Sequence, residues 1–81
     1  MLPIMKLHNI QVCTYAGYKA DERPLKFIFN GKEYTIKEII HQTYEEIPGG
    51  GLRRRYTVKT DAGFTFKIFY DENQDRWFLE E

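Results

Sequence analysis

The stretch RRRYTVKTDAGFTFKIFY, from Arg53 to Tyr70, decides the fold of this chain. Asp61-Ala62-Gly63 at its centre reads as a three-residue hairpin loop, with glycine at the position that needs a left-handed backbone. Counting outward sets Thr60 opposite Phe64, Val58 opposite Phe66, Tyr56 opposite Ile68 and Arg54 opposite Tyr70. A second hairpin is written upstream in LKFIFNGKEYTI, Leu25 to Ile36. Asn30-Gly31 suits a type I′ turn, whose two central residues both take positive φ. That turn pairs Phe29 with Lys32, Phe27 with Tyr34 and Leu25 with Ile36. Side chains alternate between faces along a strand. Leu25, Phe27, Tyr34, Ile36, Tyr56, Val58, Phe64, Phe66 and Ile68 therefore share one face, the predicted core.

The rest of the chain continues this pattern. Breakers at Ala16-Gly17, Arg23-Pro24, Pro48-Gly49-Gly50-Gly51 and Asp71 to Asp75 separate short runs rich in Ile, Val, Thr, Tyr and Phe. These runs predict strands near 8–15, 25–30, 32–37, 52–60, 63–70 and 76–80. Residues 35–46 fit two patterns. Thr35 with Glu38 matches a capping box, and Ile36, Ile39, Ile40 and Tyr44 match a helical stripe. Tyr34, Ile36, Glu38 and Ile40 equally extend the strand beyond a bend. The fold expected is mainly β: a single domain over 1–81, its antiparallel sheet curled into a half-open barrel. A short helix near 36–44 would make the class α+β.

Composition narrows the function classes. The 81 residues hold 12 Lys+Arg against 12 Asp+Glu, with six Phe, six Tyr and one Trp. Aromatics at that density supply a core, and zero net charge with fair apolar content argues against disorder. A pI near 6.7 is far from that of a strongly basic nucleic-acid module. One cysteine cannot staple a fold, which points to a reducing, cytoplasmic setting. No apolar run approaches the ~20 residues that cross a bilayer, so no membrane role is expected. Serine is absent, removing serine nucleophiles.

The remaining chemistry is thin. Cys13 with His8 or His41 invites a thiolate mechanism, but a cysteine inside a strand reads better as a small buried hydrophobe. The same three residues lack paired metal-ligand spacing. The acidic doublets Asp21-Glu22, Glu45-Glu46, Asp71-Glu72 and Glu80-Glu81 flank turns and ends, where acids solvate loops. Gly49-Gly50-Gly51 before Arg53-Arg54-Arg55 has the ingredients of a phosphate grip, without the Gly-Lys-Ser/Thr of a P-loop. It reads better as a hairpin loop entering a basic strand. No catalytic residue, metal or cofactor is expected.

A set of landmarks resembles a known pattern: Tyr15-x-Gly17, Glu22-Arg23-Pro24, Phe27, Gly31, Tyr34, Ile36 and Glu38. It continues in Arg55-Tyr56-x-Val58, Gly63-x-x-Phe66-x-Ile68-x-Tyr70-Asp71 and Trp77-x-Leu79. The arrangement resembles short uncharacterised bacterial and archaeal proteins of a domain-of-unknown-function family. It is more loosely similar to the small tail domain of polymerase-like mutagenesis proteins. The resemblance spans residues 15–79 and implies a stand-alone cytoplasmic β domain with no known activity.

The expected function is a non-enzymatic binding or adaptor module with a protein partner, or one that self-associates. The alternative is a nucleic-acid accessory domain using a basic strand face. The alternation that buries Phe27 and Tyr56 turns Lys26, Ile28, Arg53, Arg55, Lys59, Lys67 and Phe69 outward, and Phe78 with them. These eight residues form the candidate binding face, apolar at its centre and cationic at its rim. Arg55 falls opposite Phe69, where a cation–π contact is expected.

Overall fold

The computed structural model describes residues 6–14 and 23–81. Its six antiparallel strands are β1 (Leu7–Thr14), β2 (Pro24–Phe29), β3 (Lys32–Glu46), β4 (Leu52–Thr60), β5 (Thr65–Asp71) and β6 (Arg76–Glu80). They follow one another in chain order around a closed barrel. Both hairpins form as their turns dictate. Asn30 and Gly31 take φ of 53° and 75°, and Phe27 faces Tyr34 while Phe29 faces Lys32. Across the second loop Gly63 has φ 89°. Val58 faces Phe66, Tyr56 faces Ile68 and Arg54 faces Tyr70. The Thr60 amide donates to the Phe64 carbonyl at 2.8 Å, and the Phe64 amide returns a bond to the Thr60 hydroxyl at 3.1 Å.

The barrel is closed where the sequence predicted a half-open one. β1 divides its pairing: Leu7 to Ile10 run beside β6, and Gln11 to Thr14 beside β2. The Glu81 amide donates to the Lys6 carbonyl at 2.9 Å, sealing the seam. His8 Nε2 donates to the Glu81 carboxylate at 2.9 Å. Hairpin turns specify neighbours only; pairing between residues 73 apart in the chain has no local signature.

Residues 36–44 lie within β3 and are not helical. Against β4, Ile36 faces Thr60 and Glu38 faces Lys59, so Lys37 is an inserted residue. Ile39 faces Val58 and His41 faces Thr57, so Ile40 is a second one. A bulge adds one residue and shifts the alternation. Ile36 and Ile39, three apart, therefore both pack on the core. The helical spacing of the isoleucines comes from the bulges.

A third bulge displaces Leu25. Cys13 faces Lys26 but Thr14 faces Pro24. Pro24 takes the buried place and Leu25, expected in the core, is 45% exposed. Its expected pairing with Ile36 does not form, because the β2–β3 register stops at Lys26 and Thr35. Phe64, also expected in the core, lies exposed beside its loop with its ring against Tyr34 and Phe66. The other predicted core residues are buried or packed against the core, joined by Ile10 and Leu79. Trp77 anchors the final strand between Tyr56 and Tyr70, at ring distances of 5.7 and 5.3 Å.

The first turn supplies a direct check on this architecture. A Cβ at Gly31 would meet no neighbour, so the cost of Gly31→Val is backbone strain at positive φ. Destabilisation of about 1–3 kcal/mol is expected by denaturant unfolding; an unchanged midpoint would mean that the turn does not hold this conformation.

Candidate functional site

The predicted binding face divides in the structure. β2 and β5 are separated by two strands in either direction around the barrel. Lys26 and Ile28 on β2 therefore lie across the barrel from Lys67 and Phe69 on β5. Lys26 sits 3.7 Å from Glu33, and Ile28 remains 41% exposed. Lys59 and Lys67 are exposed.

The other half of that face forms a second packed layer outside the barrel. In register, Thr43, Arg55, Phe69 and Phe78 line up across β3, β4, β5 and β6. Phe69 stacks on Phe78 with centroids 5.1 Å apart. The guanidinium groups of Arg53 and Arg55 lie over the Phe69 ring at 4.9 and 5.6 Å. Arginine stems cover apolar surface while the charged ends find partners. Arg53 reaches Glu45 at 3.3 Å and Asp71 at 3.8 Å. Arg55 reaches Glu45 at 3.5 Å and also pairs with Glu80. Phe69, expected as the exposed centre of a binding face, is accordingly only 2% exposed. The cation–π contact with Arg55 is present, yet it covers the ring.

The surface that remains open lies on β3. β2 has six residues and β3 has fifteen, and the two pair only from Phe29–Lys32 to Lys26–Thr35. Beyond Thr35, β3 pairs with β4 alone. Among the described residues, no strand pairs with the other edge of β3 from Lys37 to Glu46. Where β2 and β3 part, a cleft of about 430 Å³ opens. Arg23, Pro24 and Leu25 line it on one side, and Ile36, Lys37, Glu38, Ile39 and Gln42 on the other. Ile40 and Tyr44 along this edge are 51% and 58% exposed. Gln42 and Tyr44 share a strand face, and Ile40 is the residue inserted before His41. The Gln42 amide donates to the Tyr44 hydroxyl at 3.3 Å, holding the two together.

The remaining candidates stay dispersed. Cys13, predicted to be buried, is exposed. His8 is engaged with Glu81 at the seam. Among the described residues no three His, Cys, Asp or Glu side chains gather as a metal site requires. The glycine loop is tied to the β5–β6 turn by Asn73, whose side-chain amide donates to the Gly50 carbonyl at 2.8 Å. A Cβ on Gly51, at φ 96°, would collide with that asparagine. Arg53 and Arg55 point their charges at Glu45, Asp71 and Glu80. Of the acidic doublets, Asp21-Glu22 lies outside the described residues, and Glu45, Asp71, Glu80 and Glu81 serve local structure. Asp71, buried, accepts the amides of Asn73 and Gln74 at 2.9 and 3.1 Å.

Phe69 is the residue whose role changes most between sequence and structure. Phe69→Ala is expected to destabilise the domain by about 3–5 kcal/mol, the scale for removing a buried ring. Phe69→Glu is expected to unfold it. Denaturant titrations check both, and a stable Phe69→Glu variant would show that the arginine layer opens freely.

No protein-family model matches this chain, and no curated protein or solved structure matches it either. Of the landmarks read in the sequence, Tyr15, Gly17 and Glu22 lie outside the described residues.

Proposed function

We propose that this domain is a non-enzymatic, cytoplasmic binding module for a protein partner, and that the partner docks as an added strand along β3. The observation that carries the reading is the edge from Lys37 to Glu46, unpaired among the described residues, beside the β2–β3 cleft. An exposed strand edge offers a row of backbone donors and acceptors to an extended segment. Neighbouring recesses then select alternate side chains. Leu25 and Ile39 give the recess an apolar wall, while Arg23, Lys37 and Glu38 set a polar margin.

The nucleic-acid reading has less support. Arg53 and Arg55, the centre of its basic face, are matched by Glu45, Asp71 and Glu80. Phe69, its best stacking ring, is covered.

Peptides selected from a random display library on the immobilised domain provide the test. A bound peptide is expected to slow amide hydrogen exchange within residues 37–46 and to leave β5 and β6 unchanged. Selected peptides that protect other strands, or a selection that yields none, would remove this reading. Single-stranded DNA is expected not to bind at about 50 mM salt; tight binding that fades towards about 200 mM would favour the nucleic-acid role.

A further inference from the structure

We propose that the corner between the Tyr34 and Phe64 rings binds a quaternary ammonium group, that of a trimethylated lysine side chain on a partner. In the free protein the chain's own Lys32 occupies this corner. The site lies at the end of the barrel where both tight hairpins turn, at the start of β3 and ahead of its open edge. The inference does not rest on the edge-docking reading.

The walls of the corner are set by the backbone. Phe64 follows the Asp61-Ala62-Gly63 loop, and paired bonds to Thr60 fix its position. The Asp61 amide donates to the Thr35 carbonyl at 3.0 Å, tying that loop to the strand that carries Tyr34. The two rings consequently stand at 84° to each other, with centroids 6.3 Å apart. Phe66 packs against both, at 5.1 Å from Tyr34 and 6.2 Å from Phe64. Tyr34 and Phe66 rest on the core, whereas Phe64 keeps 51% of its surface exposed. The corner is therefore rigid on one side and open to solvent on the other.

This corner already holds a cation. Lys32 shares a strand face with Tyr34. Its Nζ lies 5.3 Å from the Tyr34 centroid and 6.0 Å from that of Phe64. Among the described residues no carboxylate pairs with Lys32, whereas Glu33 beside it pairs with Lys26. The contrast with the outer layer is plain: Arg53 and Arg55 lie over Phe69, but Glu45, Asp71 and Glu80 hold them there. For Lys32 the ring faces alone fix the ammonium, through the attraction of their quadrupoles for a positive charge. A primary ammonium has three N–H donors to satisfy and is strongly hydrated. A quaternary ammonium has none, and aromatic walls are its usual host. Rings without a carboxylate thus suit the methylated cation better than the resident one. The resident is itself a lysine side chain, so a methylated lysine matches the corner in shape as well as in charge. Lys32 is exposed, and rotation about its own flexible stem is enough to vacate the site.

The test follows the ring resonances of the full chain by NMR. N-acetyl-trimethyllysine amide at millimolar concentration is expected to shift those of Tyr34 and Phe64. A neutral isostere, with carbon in place of the quaternary nitrogen, is expected to leave them unmoved. Lys32→Met removes the competing cation and is expected to tighten binding about two- to fivefold, the scale of one exposed cation–π contact. Phe64→Ala is expected to abolish the response. Lys32→Met changes only an exposed side chain, so it decides the matter whether or not Phe64→Ala loosens the loop. No shift in the Lys32→Met variant, an equal response to the neutral isostere, or weaker binding without Lys32 would each overturn the inference. Phosphocholine presents the same cation on a different stem; tighter binding of phosphocholine would overturn the choice of lysine. Oligothymidine that shifts the same rings, and loses affinity in Lys32→Met, would assign them to base stacking instead. None of these outcomes alters amide exchange at residues 37–46, so edge docking stands or falls separately.

Discussion

Two strands of this barrel divide their length between two partners, one partner after the other, and the remaining architecture follows from that division. β1 gives its first half to β6 and its second half to β2. β3 gives its first four residues to β2 and the remainder to β4. A strand that leaves one neighbour for another must bend, and a bulge bends a strand at the cost of one unpaired residue. The inserted residues Leu25, Lys37 and Ile40 all lie where partners are exchanged or close beyond. The same division closes the sheet at the β1–β6 seam and parts it at the β2–β3 cleft.

Local chemistry in the sequence is enough to place the hairpins. Asn30-Gly31 and Asp61-Ala62-Gly63 carry their backbone requirements in two or three residues, and alternation then assigns faces for the whole pair. Features that depend on distant residues are not written that way. Ile36, Ile39 and Ile40 mimic a helix because an inserted residue changes the repeat from two to three. Phe69 points outward, as alternation requires, but its burial depends on Glu45 and Glu80 holding two arginines over it. Those acids lie eight residues before Arg53 and 25 after Arg55. The overhang of β3 did leave a trace: the turn at Asn30-Gly31 and the next breaker at Pro48 stand much farther apart than strand β2 is long. Read as one strand, that interval announces a β3 that runs well beyond the end of β2.

The outer layer shows how a neutral protein can carry a row of arginines without a polyanion to meet them. The aromatic pair Phe69 and Phe78 supplies flat apolar surface outside the barrel, the arginine stems cover it, and three acids fix the guanidinium groups in place. Asp71 and Glu80 are nearly buried while the arginines remain about 30% exposed. The acids are thus the inner part of the layer and the cations its lid. This arrangement fills the face that the sequence offered for binding and, among the described residues, leaves the far edge of β3 unpaired. Lys37, Glu38, Glu45 and Glu46 also make that edge a poor match for indiscriminate strand pairing.

The β1–β6 seam has a consequence for the entropy of the chain. Every other strand pair joins elements adjacent in sequence, so it closes a short loop and costs little beyond ordering its own residues. The seam alone brings together the two ends of the described chain, with His8 and Glu81 bridging 73 positions. Loop-closure cost grows with the logarithm of length, and long-range pairing is what slows the folding of β proteins. The longest-range order in this topology is concentrated in four residue pairs, Leu7–Glu80 to Ile10–Trp77. A meander that assembles from its hairpins becomes a barrel only when those four pairs meet.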